Sequence, residues 1–314
     1  MLEYILFAVG LIGLVFGADR LVVSAVRISV RVGLSVQVVG IVVVGLGTSL
    51  PELVTSLDAA LQGSPEAALG NVVGSNIANV LLVLGFGAMC IPIRVDAEST
   101  VRDVLWMLGA GLAVIGFALT GTFERWMGAL MLCALGVYLY RAVKGSKATA
   151  VSTVDESVGN PVTTLPHWRM DAVWLAVGFV CLVGGAHLVV VGALGLAKAW
   201  GMSDSVAGIV LLALGTSLPE LVVTVVSVLK RQSDVAVGNI VGSTLFNLLG
   251  ILGATAVVLP LSVPTSMLNL HLWVMLAAVS AAALFVRTGW RLSRREGAVL
   301  LAAYPLYLYF VISV

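Results

Sequence analysis

Charge is the first thing this sequence lacks. Only 11% of its 314 residues are Asp, Glu, Lys or Arg, against about a quarter in soluble domains. The net charge is +1, so no strongly basic surface points to nucleic acid. Cysteine is scarce: Cys90, Cys133 and Cys181 all fall in or beside apolar stretches and none has a CxxC neighbour. They are expected to be small buried hydrophobes, without metal or redox chemistry. Histidine is scarcer in effect: His167 and His271 are expected in loops and carry no motif. The N-terminus lacks a basic region ahead of its apolar run and an evident small-residue cleavage site, so a retained first helix is expected in place of a signal peptide.

What the chain does have is apolar length. Hydrophobic residues make up 60% of it, and the mean hydropathy is +1.10. Apolar runs fall near 2–26, 34–61, 67–92, 103–121, 125–143, 170–198, 203–229, 235–259, 268–287 and 297–313. Runs of about 20 residues match a hydrocarbon layer of roughly 30 Å, whereas barrel strands are about half as long and alternate. The expected fold is an all-α integral membrane protein with ten transmembrane helices, embedded in a lipid bilayer.

Two runs are interrupted by one costly sequence. Gly45-Leu46-Gly47-Thr48-Ser49-Leu50-Pro51-Glu52 recurs as Ala213-Leu214-Gly215-Thr216-Ser217-Leu218-Pro219-Glu220. The offset of 168 residues also relates Gly17 to Gly185, Gly33 to Gly201, Asn71 to Asn239, Ser75 to Ser243 and Asn79 to Asn247, with no gap. The chain therefore divides into a first repeat, 1–143, a linker, 144–169, and a second repeat, 170–314. Five spans per repeat is an odd number, so the second copy enters the membrane from the opposite side. That is an inverted-topology repeat, an arrangement that places a transport site at the midplane.

Positive charge sets the expected orientation. With the N-terminus outside, Arg27, Arg31, Arg94, Arg102, Arg141, Lys144, Lys147, Arg169, Lys230, Arg231, Arg287, Arg291, Arg294 and Arg295 are all cytoplasmic. Only Arg125 and Lys198 face out, and Arg20 lies in the first span. Both termini are thus expected outside the cell membrane and the linker inside.

An ionisable group at membrane depth is costly, which makes Glu52 and Glu220 functional candidates. Thr48 and Ser49 lie four and three residues before Glu52, a spacing that puts all three on one helical face. Pro51 lacks an N–H and is expected to disrupt the helix around residue 47, freeing carbonyls. Gly45 and Gly47 leave room for another backbone. Carboxylates, hydroxyls and free carbonyls are the oxygen donors that Na⁺ and Ca²⁺ require. The next span of each half adds Ser75 with Asn79 and Ser243 with Asn247, each pair four apart on one face. Gly74 and Gly242 permit tight helix contact. Asn71 and Asn239 fit helix capping as well as they fit the site. Asp19 and Arg20 can pair with each other or snorkel; Asp58, near a helix end, suits a solvated vestibule.

These motifs, GTSLPE with GNxxGSNxxN and GTSLPE with GNxxGSxxxN, resemble the two alpha-repeats of the cation/Ca²⁺ exchanger superfamily, and the prokaryotic sodium/calcium exchanger in particular. The resemblance covers essentially the whole chain. It implies an antiporter that exchanges Na⁺ for Ca²⁺ by alternating access, with those ions as substrates, no catalytic residues, no resident cofactor and no protein partner. It implies one Ca²⁺ position shared by Glu52 and Glu220. Flanking Na⁺ positions would use Thr48, Ser49, Ser75, Thr216, Ser217, Ser243 and the carbonyls of Gly45 and Ala213, with Asn79 and Asn247 lining the centre. It also implies that the first and sixth helices slide as the gate. Many members carry Asp where this chain has Asn247, and Asn there goes with K⁺ independence. The linker is too short for the calcium-sensing domains of animal exchangers. Three other classes remain open on residues alone: a cation/proton antiporter, an intramembrane enzyme using paired acids, and a passive channel.

Overall fold

The structure, a computed structural model, describes residues 1–146, 168–199 and 215–313. The described fold is all α apart from four two-residue strands. The first half comprises α1 (Leu2–Val32), α2 (Val36–Thr48), α3 (Leu50–Leu61), α4 (Pro65–Cys90), β1 (Ile93–Arg94), α5 (Ala97–Ala118), β2 (Thr122–Phe123) and α6 (Arg125–Lys144). The second comprises α7 (Trp168–Ala199), α8 (Leu218–Leu229), α9 (Ser233–Val258), β3 (Leu261–Ser262), α10 (Met267–Arg287), β4 (Arg291–Leu292) and α11 (Arg294–Ser313). Among the described residues, seven helices are long and apolar enough to cross a membrane, and the α2–α3 pair, bent by 42°, makes an eighth span. Residues 200–214, with Ala213, and 147–167, with His167 and most of the linker, lie outside the described residues. α6 runs through Lys144 and α7 begins at Trp168.

Local chemistry sets the helix ends. Gly33 closes α1 in the left-handed conformation (φ 68°), its N–H returning to Ser29. Ser35 caps α2 by accepting from Val38 N–H, and Asp96 caps α5 by accepting from Ser99 N–H. Pro65 occupies the first turn of α4, where its missing N–H costs nothing.

α4 and α9 form the centre. In their most apolar stretches 72% and 83% of residues are buried, against 33–39% for the other single spans. Around them Leu69, Ile77, Tyr138, Leu245 and Leu248 make one continuous core. The long helices α1 and α7 pack on each other as a second, smaller cluster, built on Leu14, Leu21 and Leu182. They run antiparallel: Gly10 faces Val189, Gly17 faces Leu182 and Gly192 faces Phe7. A Cβ at Gly17 would fall 2.6 Å from the Leu182 nitrogen, so glycine is required for this approach. Ion pairs reinforce the seam, with Asp171 3.0 Å from Arg31 and 3.6 Å from Arg27. Asp19 pairs mainly with Lys230 after α8 (2.7 Å), while Arg20 stacks on Phe16 and Trp174.

Short strands tie the loops together. β1 pairs antiparallel with β4, Ile93 opposite Leu292, and β2 with β3, Phe123 opposite Leu261. Buried Asp103 accepts from Gln37 Nε2 (2.8 Å), Arg102 Nε (2.8 Å) and Tyr138 OH (3.3 Å), joining α5 to α2 and α6.

Two expectations need correction, and that for Asp58 holds. His271 is helical, not in a loop, and its Nδ1 lies 2.8 Å from the Tyr307 hydroxyl. Cys133 is exposed and Cys90 and Cys181 are half-buried, so none is a core residue. Asp58 is exposed and takes a hydrogen bond from Gln62 (2.7 Å), a solvated role.

Candidate ion-binding site

Each GTSLPE sequence sits at a break between helical segments. The α2–α3 break falls at Ser49 (φ −89°, ψ 5°), and the matching turn in the second half at Ser217 (φ −91°, ψ 4°). Both precede a proline in the first turn of the next helix. The break is thus two residues later than expected. Pro51 is tolerated inside α3's first turn, and the bend is made just ahead of it.

The break divides the side chains that helical spacing had placed on one face. Thr48 turns to α9: its Oγ1 lies 3.1 Å from Asn239 Oδ1 and 3.1 Å from Ser243 Oγ. Ser49 Oγ donates to Glu220 Oε1 (3.3 Å), linking the first half's turn to the second half's carboxylate. The Gly45 carbonyl accepts from Ser243 Oγ (3.2 Å) and lies 3.2 Å from Thr48 Oγ1. Gly45 makes this possible, since a Cβ there would fall 2.8 Å from Gly242 Cα. Gly47 differs from expectation: the Phe179 ring of α7 covers it, not a backbone.

Glu52 and Glu220 are wholly buried. Among the described residues, neither oxygen of Glu52 has a hydrogen-bond partner, nor has Oε2 of Glu220. Asn79 and Asn247 are also wholly buried, with both carboxamide atoms of each unpartnered, and the Ser217 hydroxyl is unpartnered too. Ser75 and Ser243 are buried beside them in sequence, and Thr216 is half-buried. Buried polar atoms without partners are rare in native proteins, and an unneutralised buried carboxylate is costly. Their shared presence on α3, α4, α8 and α9 defines a set of oxygen donors with no partner among the described residues. A proton could neutralise a carboxyl. A cation would neutralise it and also satisfy the amide and hydroxyl oxygens.

Sequence reasoning missed two features. First, Asn71 and Asn239 do not cap helices. Asn71 Nδ2 donates to the Glu52 carbonyl (3.1 Å) and Ser56 Oγ (2.9 Å); Asn239 Nδ2 donates to the Glu220 carbonyl (3.2 Å) and Thr224 Oγ1 (3.0 Å). Each holds a glutamate's backbone to the following span, and the offset of 168 that joins Ser56 to Thr224 could have signalled it. Second, π-helical turns span Gly40–Gly45, Asn79–Leu84 and Phe246–Ile251. Such turns are rare and concentrate at functional sites. Here they contain Gly45, Asn79 and Asn247.

Comparison with known proteins gives the family. The family model for sodium/calcium exchanger protein matches residues 2–144 and 170–313. The sodium/calcium exchanger MaX1 of Methanosarcina acetivorans is 33% identical, over 98% of this chain and 97% of its own. The inner membrane protein YrbG of Escherichia coli is 32% identical, over 83% and 81%. A solved structure of the sodium-calcium exchanger NCX_Mj, soaked with zero Na⁺ and Ca²⁺, superposes with a TM-score of 0.84 at 31% identity, covering 100% of this chain and 99% of that one. Full-length sequence and fold likeness together establish that the chain is a multi-pass, all-α membrane protein belonging to the sodium/calcium exchanger protein family.

Proposed function

We propose that the protein is a secondary active antiporter that exchanges Na⁺ for Ca²⁺ by alternating access. The observation that carries this reading is the pair of wholly buried carboxylates, Glu52 and Glu220, surrounded by unpartnered amide and hydroxyl oxygens. In this reading the two glutamates share one Ca²⁺. Thr48, Ser49, Ser75, Thr216, Ser217 and Ser243 serve Na⁺ with the carbonyls of Gly45 and Ala213, and Asn79 and Asn247 line the centre. The names of MaX1 and NCX_Mj favour Na⁺ as the counter-ion. So does the donor set, because proton coupling would leave the Asn79 and Asn247 oxygens unsatisfied.

Ten spans in two inverted repeats are supported by matched contacts. The Asn71–Ser56 bond is repeated as Asn239–Thr224, and β1–β4 is repeated, with exchanged halves, as β3–β2. The antiparallel α1 and α7 fit the same symmetry. With positive charge inside, both termini lie outside. Three Na⁺ for one Ca²⁺ moves one net charge per cycle, so 100 mV shifts the balance by roughly 2.3 kcal/mol. The test is Ca²⁺ uptake into proteoliposomes under an imposed Na⁺ gradient, then under a pH gradient without Na⁺. Uptake that follows the Na⁺ gradient and responds to voltage supports the reading. Uptake driven by the pH gradient alone replaces it with proton/calcium antiport.

A further inference from the structure

A groove of about 540 Å³ runs between α5 and α10, far from the glutamates in sequence and built from different helices. Its length is apolar, with Val104, Leu105 and Leu108 on one wall and Ala283 and Leu284 on the other. Leu105 and Leu284 are 64% and 65% exposed, so this wall faces the surrounding hydrocarbon. From Thr100 to Leu108 the helix rises about 12 Å, most of one leaflet's roughly 15 Å of hydrocarbon.

One end of the groove is polar, where Thr100, Arg287 and Trp290 meet. Thr100 is only 7% exposed, yet its hydroxyl has no hydrogen-bond partner. A buried hydroxyl in an apolar wall calls for an acceptor, and the described residues supply none. Arg287 ends α10, is exposed, and pairs with no carboxylate among the described residues. The β1–β4 register sets Arg94 opposite Arg291 just beyond it. Of the nearby acids, Asp96 caps Ser99 and faces Arg102, Glu98 also faces Arg102, and Glu296 is held by Ser293 and Thr288 and faces Arg291, which leaves Arg287 and Arg94 to an outside anion. Trp and Arg at a span's end are the usual anchors at the headgroup level.

We propose that this groove holds a phospholipid with an anionic headgroup. One acyl chain lies along Val104, Leu108 and Ala283; an ester or phosphate oxygen accepts from the Thr100 hydroxyl; and the headgroup faces Arg287. A zwitterionic headgroup would bring its ammonium against Arg94 and Arg287, which disfavours it. The proposal rests on membrane embedding alone and is independent of which ions are exchanged.

The experiment is native mass spectrometry of the purified full chain after mixing with phosphatidylglycerol or phosphatidylcholine. Wild type should retain one phosphatidylglycerol about tenfold more than phosphatidylcholine, and Arg287→Gln should cut that preference about fivefold, the scale of one cation at an anionic surface. Thr100→Val should lower retention severalfold, and Ala283→Phe, which fills the groove, should abolish it. Brominated phosphatidylglycerol should also quench the fluorescence lost in Trp290→Phe, a reading on wild-type protein that stands even if Ala283→Phe does not fold. Equal retention of the two lipids, retention indifferent to Arg287→Gln, or no quenching of Trp290 would overturn the proposal.

Discussion

The two copies of one sequence stand in different surroundings. In the first, Thr48 is wholly buried between Asn239 and Ser243, and Ser49 is bonded to Glu220. In the second, the Ser217 hydroxyl has no partner, and Thr216 borders a cavity of about 220 Å³ with Pro51, Pro219 and the α7 residues Ala186 and His187. The local backbones match closely, with both breaks near φ −90° and ψ 5°. Neighbours make the difference, not the motif. Asn239 and Ser243 close on the first copy, while the second opens beside α7. Asn239 illustrates the point. Its carboxamide binds Thr48, Glu220 and Thr224 at once, whereas among the described residues Asn71 binds the matching Glu52 and Ser56 alone. In an alternating-access cycle the two copies would exchange these roles, each ligand set being engaged when its own side is closed.

Breaking the comparison starts with what the copies have in common. Glu52→Gln and Glu220→Gln should each abolish Ca²⁺ transport in proteoliposomes while folded protein remains in the membrane, because each removes charge from one shared site. Near-normal exchange by either variant would separate the two halves. Next comes the seam that closes the first copy. A Cβ at Gly242 would fall 2.5 Å from the Ile41 carbonyl, so Gly242→Val should destabilise by about 4 kcal/mol or more and leave little folded protein on size exclusion. Gly116→Ala, where a Cβ meets nothing within 4 Å, is the control and should be neutral.

The copies should then part in degree. Asn239→Ala loses three buried hydrogen bonds and Asn71→Ala two half-buried ones. At about 1 kcal/mol each, thermal unfolding should show Asn239→Ala as the more damaging by roughly that amount, and equal losses would deny the asymmetry. The smallest effect is expected at the hydroxyls. Ser49→Ala and Ser217→Ala should weaken Na⁺ competition more than Ca²⁺ binding, with Ser49→Ala the larger because it alone removes an existing bond to a carboxylate. Equal loss of both ions would assign these serines to packing.

Much of this was legible in the sequence for a simple reason. Hydropathy reports span positions, and a gapless repeat reports which donors recur. Where the reading fell short, a distant partner decided. The first span was expected to end near residue 26, yet α1 continues to Val32 because Arg27 and Arg31 pair with Asp171, well over a hundred residues away. α5 begins at Ala97, ahead of the apolar run, since Asp96 caps it and Asp103 is satisfied by Gln37 and Tyr138. The glutamates, hydroxyls and central asparagines were all evident as donors. That Thr48 and Ser49 point to different partners was not, because helical spacing presumes an unbroken helix. The π-helical turns at Asn79 and Asn247 leave no mark in composition. They widen the helix where α4 and α9 cross the site, which only the packed structure reveals.

If the two half-motifs form one cation site, each chain holds one divalent ion. Equilibrium Ca²⁺ binding to the purified protein, counted per chain without Na⁺, tests it most directly. One Ca²⁺ per chain is expected in wild type and none in either Glu52→Gln or Glu220→Gln, because neither carboxylate would hold the ion alone. Two Ca²⁺ per chain in wild type, or binding that persists in either single variant at wild-type affinity, would contradict it.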